Sequence, residues 1–174
     1  MRSLFLLPAF ILIFSGCSSE GTKVKEPVST SFNNAEFDEW TGTYSTKKSD
    51  HAHSGNTVAF IDSSIVYSMS YSKLIENISR TKLDSVVFSY WAYCANNKIN
   101  GQTVLSIDKA DNSKNSYWTS FPVEAKLTET NKWIFIREVF KLPANLDVKN
   151  NLKLYVWNNS NKEILLDDFK VDFY

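Results

Sequence analysis

The stretch that decides the fold is SVVFSYWAYCA, residues 85–95. β-branched and aromatic residues fill it, neither Gly nor Pro interrupts it, and its two parities differ in character. Even positions carry Val86, Phe88, Tyr90, Ala92 and Cys94, whereas odd positions carry Ser85, Val87, Ser89, Trp91, Tyr93 and Ala95. Side chains alternate across a sheet, so this reads as a strand whose even face enters a core and whose odd face presents amphipathic rings. Residues 152–157 repeat the arrangement, with Leu152, Leu154 and Val156 opposing Lys153, Tyr155 and Trp157. Over 133–140 the contrast is weaker: Ile134, Ile136, Glu138 and Phe140 oppose Trp133, Phe135, Arg137 and Val139. With Ile136 and Phe140 inward, Phe135 and Arg137 point outward.

Outward from this core the same texture continues. Runs rich in Val, Ile, Phe, Tyr and Thr at 57–62, 65–71, 103–108 and 164–173 are separated by clusters of Asn, Ser, Asp and Lys. Residues 117–123 fit a further strand and 73–81 a helical turn, and no helical period joins the strands. Short strands without intervening helices make an all-β, antiparallel two-sheet sandwich of the jelly-roll kind.

Composition excludes several functions. Nineteen basic residues balance nineteen acidic ones in 174, which leaves no electrostatic footprint for nucleic acid. Two histidines and two cysteines, with no CxxC or HExxH spacing, leave no usual zinc site. Five glycines form no GxGxxG, GxxxxGK[ST] or GxSxG motif.

The first residues read as an address. Met1 and Arg2 precede an apolar run from Leu4 to Phe14, too short to span a bilayer, followed by Ser15-Gly16-Cys17. That end resembles the lipobox of bacterial lipoproteins, which implies a signal peptide over 1–16 and acylation of Cys17. The other reading is an ordinary signal peptide with an incidental cysteine. Residues 17–31 are polar and aperiodic and read as the lipidated cysteine with its tether, leaving 32–174 as the folded domain. By the same resemblance Ser18, rather than Asp, after the cysteine implies sorting to the outer membrane, with the leaflet open. With Cys17 acylated, Cys94 has no disulfide partner and reads as an inert core thiol.

Trp91, Tyr93, Tyr155 and Trp157 all fall on outward parities, with Arg137 and Asp108 as polar neighbours. Rings stack on the C–H faces of sugars and planar charged groups hydrogen-bond their hydroxyls, so these residues are the candidate ligand-binding set. The alternative is that a loop covers the rings as a second small core.

Four stretches together resemble the calcium-containing jelly-roll carbohydrate-binding modules, which are galactose-binding-like β-sandwiches. They are Asn34-Ala35-Glu36-Phe37-Asp38 with Trp40, where Ala35 stands at a usual Gly; His53-Ser54-Gly55-Asn56-Thr57; Trp133, Ile136, Phe140, Leu142 and Pro143; and 154–158 with Leu166-Asp167-Asp168-Phe169. The resemblance implies a structural calcium held by Asp38, Asp167 and carbonyls at the Ser54 turn. Asp167 shares parity with Phe169, Val171 and Phe173, which places it on the core side, where an unpaired carboxylate is costly. A hard cation would satisfy it, and so would backbone N–H groups or a lysine.

Other features carry less. His51 and His53 sit among turn residues, where a structural hydrogen bond is the plainer role. Asp84-Ser85-Val86 resembles a bacterial O-glycosylation acceptor and also reads as a strand start. Carboxylates for glycoside hydrolysis would have to come from Glu36, Asp38, Glu39, Asp167 or Asp168, most of which already have a structural reading. The expectation is a non-enzymatic, lipid-anchored outer-membrane protein whose partner is a poly- or oligosaccharide. The alternative is a structural or adaptor lipoprotein that uses the same fold to dock an envelope protein.

Overall fold

The computed structural model describes residues 25–36, 40–42, 45–96, 98–111 and 115–174. Cys17 and Asp38 lie outside the described residues. Ten strands occur in chain order: β1 Ser29–Asn33, β2 Thr46–Lys48, β3 Thr57–Ile61, β4 Tyr71–Leu74, β5 Ser85–Tyr93, β6 Gly101–Asp108, β7 Asn115–Pro122, β8 Trp133–Lys141, β9 Asn151–Asn158 and β10 Ile164–Phe173. One sheet runs β2-β3-β10-β5-β8, with β1 also pairing β10, and the other runs β4-β9-β6-β7. All pairings are antiparallel, and the two sheets make the expected all-β jelly-roll sandwich. Single turns of 3-10 helix follow β4 and β7. The first falls inside the helical turn expected at 73–81. Among the described residues no helix is long and apolar enough to cross a membrane.

Alternation sets the core as expected on the central strands. Val86, Phe88, Tyr90 and Ala92 of β5, with Cys94 just after it, meet Leu152, Leu154 and Val156 of β9 in one buried cluster. Rings of Trp40, Tyr71, Phe88, Tyr90, Phe169 and Phe173 contact one another through its centre. The Tyr90 hydroxyl meets Thr103 Oγ1 at 2.5 Å, so a buried hydrogen bond ties β5 in one sheet to β6 in the other. The Cys94 thiol is buried and donates to the carbonyl oxygens of Asn96 and Glu163, at 2.9 and 3.2 Å. Burial raises its pKa, in keeping with an inert thiol.

Three elements differ from the sequence reading. Ser29–Asn33 pairs with Phe169–Phe173, so residues assigned to the tether belong to the sheet. The expected strand at 65–71 shrinks to a bridge, Tyr67 opposite Trp157, followed by β4. The cause is Ser68, whose Oγ donates to Met69 O and accepts from Val156 N, replacing a backbone partner in the ladder. The third is a register shift between Asp167 and Lys170 in β10, with Asp168 at φ 49°. Ile164 and Leu166 point inward before it, and Phe169, Val171 and Phe173 after it. Asp167 pairs with Trp91 and therefore lies on the outer face, not the core side as parity from Phe169 implied.

Candidate functional site

The five candidate ligand-binding residues do not form one surface. Trp91, Tyr93 and Arg137 lie on the outer face of the larger sheet, and Tyr155 and Trp157 on the outer face of the smaller one. Outward parity was read correctly on each strand, but β5 and β9 belong to opposite layers of the sandwich.

On the larger sheet the rings are gathered under the turn before β3. The His53 ring stacks on Trp91 with centroids 4.1 Å apart and planes at 17°, and it meets the Trp133 edge at 5.7 Å. His53 Nδ1 lies 2.6 Å from Asp168 Oδ2, and Ser54 Oγ donates to Asp168 Oδ1 at 2.5 Å. Trp133 Nε1 donates to the His51 carbonyl at 3.1 Å. The turn thus leaves Trp91, Tyr93 and Trp133 half-buried, a partial cover of the kind the alternative reading describes, and the bulge at Asp167–Asp168 is what lets the turn sit down on them. Phe135 and Val139 remain exposed beyond its rim.

The same turn contains the positions implied for calcium. Ser54 and Asp167 are adjacent: the backbone N–H groups of His53 and Ser54 donate to Asp167 Oδ2 at 2.9 and 3.1 Å, and that of Asp168 donates to Oδ1 at 2.8 Å. Burial pushes the Asp167 carboxyl up to about 6 although these N–H groups pull it down. Asn56 N–H donates to Glu36 Oε1 at 2.5 Å, and Asn33 Oδ1 accepts from Ala35 N, which lets Ala35 take φ 64° where the family pattern has Gly. Three N–H dipoles aimed at one carboxylate suit an anion, not a cation. Among the described residues no group of three His, Cys, Asp or Glu side chains is placed to hold a metal. At Asp167 the backbone N–H donors of the alternative reading are present, while Asp38, the other carboxylate implied for calcium, lies outside the described residues.

The smaller sheet presents a different surface. Tyr67 and Trp118 are 48% and 45% exposed, high for rings of their size, and flank the half-buried Tyr155 and Trp157. Tyr67 meets Tyr155 edge-on at 5.7 Å and lies nearly parallel to Trp157 at 6.3 Å. Between them is a cleft of about 250 Å³ whose walls are Tyr67 and Tyr155 and whose polar lining is Ser70, Ser106, Asp108, Asn115 and Lys153. Lys153 Nζ lies 2.6 Å from Asp108 Oδ2, while Asp108 Oδ1 is buried with no hydrogen-bond partner among the described residues. Burial raises the pKa of the Tyr155 phenol, with hydrogen bonding from Trp118 and Ser106 opposing it. It remains a neutral donor at physiological pH. Rings for C–H faces, a carboxylate with an unused lone pair and an ammonium group are the complement of a polyhydroxylated ring.

Of this cleft, Tyr155, Trp157 and Asp108 were visible in the sequence. Tyr67 and Trp118 were missed. Tyr67 sits at an isolated bridge, and Trp118 lies in NSYWTSFP, where polar residues surround the rings. The signal available for Trp118 was its neighbour Tyr117: adjacent strand residues face opposite ways, and Tyr117 packs against the core.

No protein-family model matches the chain, and no curated protein matches its sequence. Solved structures do match. The xylan-binding domain CBM22-1 of Xyn10C from Paenibacillus barcinonensis aligns with a TM-score of 0.55 at 12% identity, over 86% of this chain and 97% of that one. The CBM22-2 xylan-binding domain of the same protein aligns with a TM-score of 0.54 at 14% identity, over 82% and 98%. The likeness is one of fold, the two-sheet β-sandwich that these carbohydrate-binding modules share with this chain. The CBM22-1 and GH10 modules of Xyn10B from Clostridium thermocellum, solved with xylohexaose, align with a TM-score of 0.57 at 12% identity. There the alignment covers 87% of this chain and 29% of that one.

Proposed function

We propose that this chain is a lipid-anchored, non-catalytic carbohydrate-binding protein that holds a poly- or oligosaccharide on the outer face of its smaller sheet. The observation that carries the reading is the cleft in which exposed Tyr67 and half-buried Tyr155 flank Asp108, whose Oδ1 has no partner. Sugar rings would stack on Tyr67, Trp118 and Trp157, and hydroxyls would hydrogen-bond the Asp108–Lys153 pair at the wall of the cleft. The one carboxylate lining the cleft among the described residues is already paired with a lysine, which suits recognition better than acid–base chemistry. The fold shared with xylan-binding domains supports the ligand class, and Ser15-Gly16-Cys17 supports the anchor and an outer-membrane address.

Native electrophoresis through gels containing soluble xylans, glucans or mannans tests the ligand. Retardation of the wild type by at least one polysaccharide, lost in Tyr67→Ala and Trp118→Ala with melting temperatures unchanged, is the expected result. Retardation that survives in both variants would remove the site from this face.

A further inference from the structure

The end of the sandwich where the chain enters carries a second cavity, unrelated to the cleft. It has a volume of about 340 Å³ and lies between the connection from β4 to β5 and the connection from β8 to β9. Ile75, Leu83, Pro143, Leu146 and Val148 give it an apolar lining, and Arg80 and Lys82 stand at it with no carboxylate among its lining residues. Both cations are exposed and neither has an ion-pair partner among the described residues. Val148, 50% exposed, stands beside them.

The position of the entering chain gives this cavity an orientation. Val28 N–H donates to Phe173 O at 2.8 Å, and Lys25 Nζ lies 3.6 Å from Asp84 Oδ2, one residue beyond Leu83 of the cavity lining. Seven residues lie between Cys17 and Lys25, so eight Cα steps reach at most roughly 29 Å even when fully extended. A chain acylated at Cys17 would keep Lys25, and with it this end of the domain, within that reach of the bilayer, whereas the 158–163 turn lies at the opposite end.

We propose that the Arg80–Lys82 cavity seats the headgroup of an anionic phospholipid. The phosphate is held by the two cations, and Val148 and Leu146 rest against the apolar edge of the interface. Juxtamembrane cations are drawn to anionic lipid, and two of them beside an apolar lining bias how a domain held nearby by an anchor meets the surface. Which way the cavity faces rests on the proposed acylation of Cys17; whether it binds lipid does not, and the experiment separates the two.

The full chain carrying Cys17→Ser, which cannot be acylated, is sedimented with vesicles of phosphatidylcholine and with vesicles of phosphatidylcholine mixed with phosphatidylglycerol. The expected result is preferential binding to the mixed vesicles. That binding falls at least fivefold on adding Arg80→Ala and Lys82→Ala and is unchanged by Lys98→Ala and Lys162→Ala at the opposite end. Equal binding to both vesicle types, or equal loss in both double variants, overturns the site. Acylation is read separately, by membrane fractionation of the unsubstituted chain.

Discussion

Single side chains decide what the cleft recognises. Asp108 is held against Lys153 through one oxygen, and this ion pair is the charged group that the cleft offers to a hydroxyl. Asp108→Asn is therefore expected to weaken polysaccharide binding roughly tenfold or more, the worth of a charge-assisted hydrogen bond, while the melting temperature moves little. Titration calorimetry beside thermal melting reads both. At Asp62 the effect is on stability alone. Oδ1 accepts from Ser64 N, Ser64 Oγ and Ile65 N at 2.7, 2.7 and 2.8 Å, and these bonds hold its carboxyl below the usual 3.8. A lowered folded pKa stabilises above the unfolded value and is lost as pH falls through the folded one. Asp62→Ala should cost less than about 1 kcal/mol at neutral pH, given solvent screening, and the difference from wild type should vanish well below pH 3.8 in denaturant titrations. Residues of this kind were partly legible in the sequence. Tyr155 and Trp157 declared themselves by parity, but Asp167 did not, because a bulge resets the parity of β10 just past it.

Elements carry the larger corrections. The turn before β3 lies over the larger sheet because Asp168 leaves the strand path and takes hold of His53 and Ser54. Gly55 closes that turn at φ 61°, and a Cβ there would run into the Glu36 carboxylate, itself the acceptor for Asn56 N. Gly55→Ala is expected to cost about 2 kcal/mol through left-handed strain and the lost Glu36 contact, measured by chemical denaturation. Adding Glu36→Ala should recover the steric part only. The strands β8 and β9 were readable because one face of each is buried, which stamps a two-residue period on the sequence, and β5, β6 and β10, buried over most of their length, were readable from their β-branched, aliphatic and aromatic residues. β1 and β2 were not. Thr46–Lys48 has no apolar residue, and Ser29–Asn33 is ordered by its backbone pairing to β10. Which strands share a sheet is likewise absent from any one strand's pattern. The rings of β5 and β9 were thus assigned to one platform when they lie on opposite sides.

Together the layers give a domain with two working directions. One end receives the chain from its proposed anchor, and the outer face of the smaller sheet is the one proposed to take a glycan. Replacement of Cys17 by Ser should leave a chain without acyl groups that high salt strips from the membrane fraction of cells, and its persistence there as an acylated species would contradict the anchor. The central claim, that the glycan lies on Tyr67, Trp118, Tyr155 and Trp157 and not on the rings of the larger sheet, is tested most directly by the indole N–H resonances of the five tryptophans during titration with a retarding oligosaccharide. Trp118 and Trp157 should shift with saturation, while Trp91 and Trp133 under the His53 turn and Trp40 in the core stay in place. Shifts confined to Trp91 and Trp133 would contradict the account.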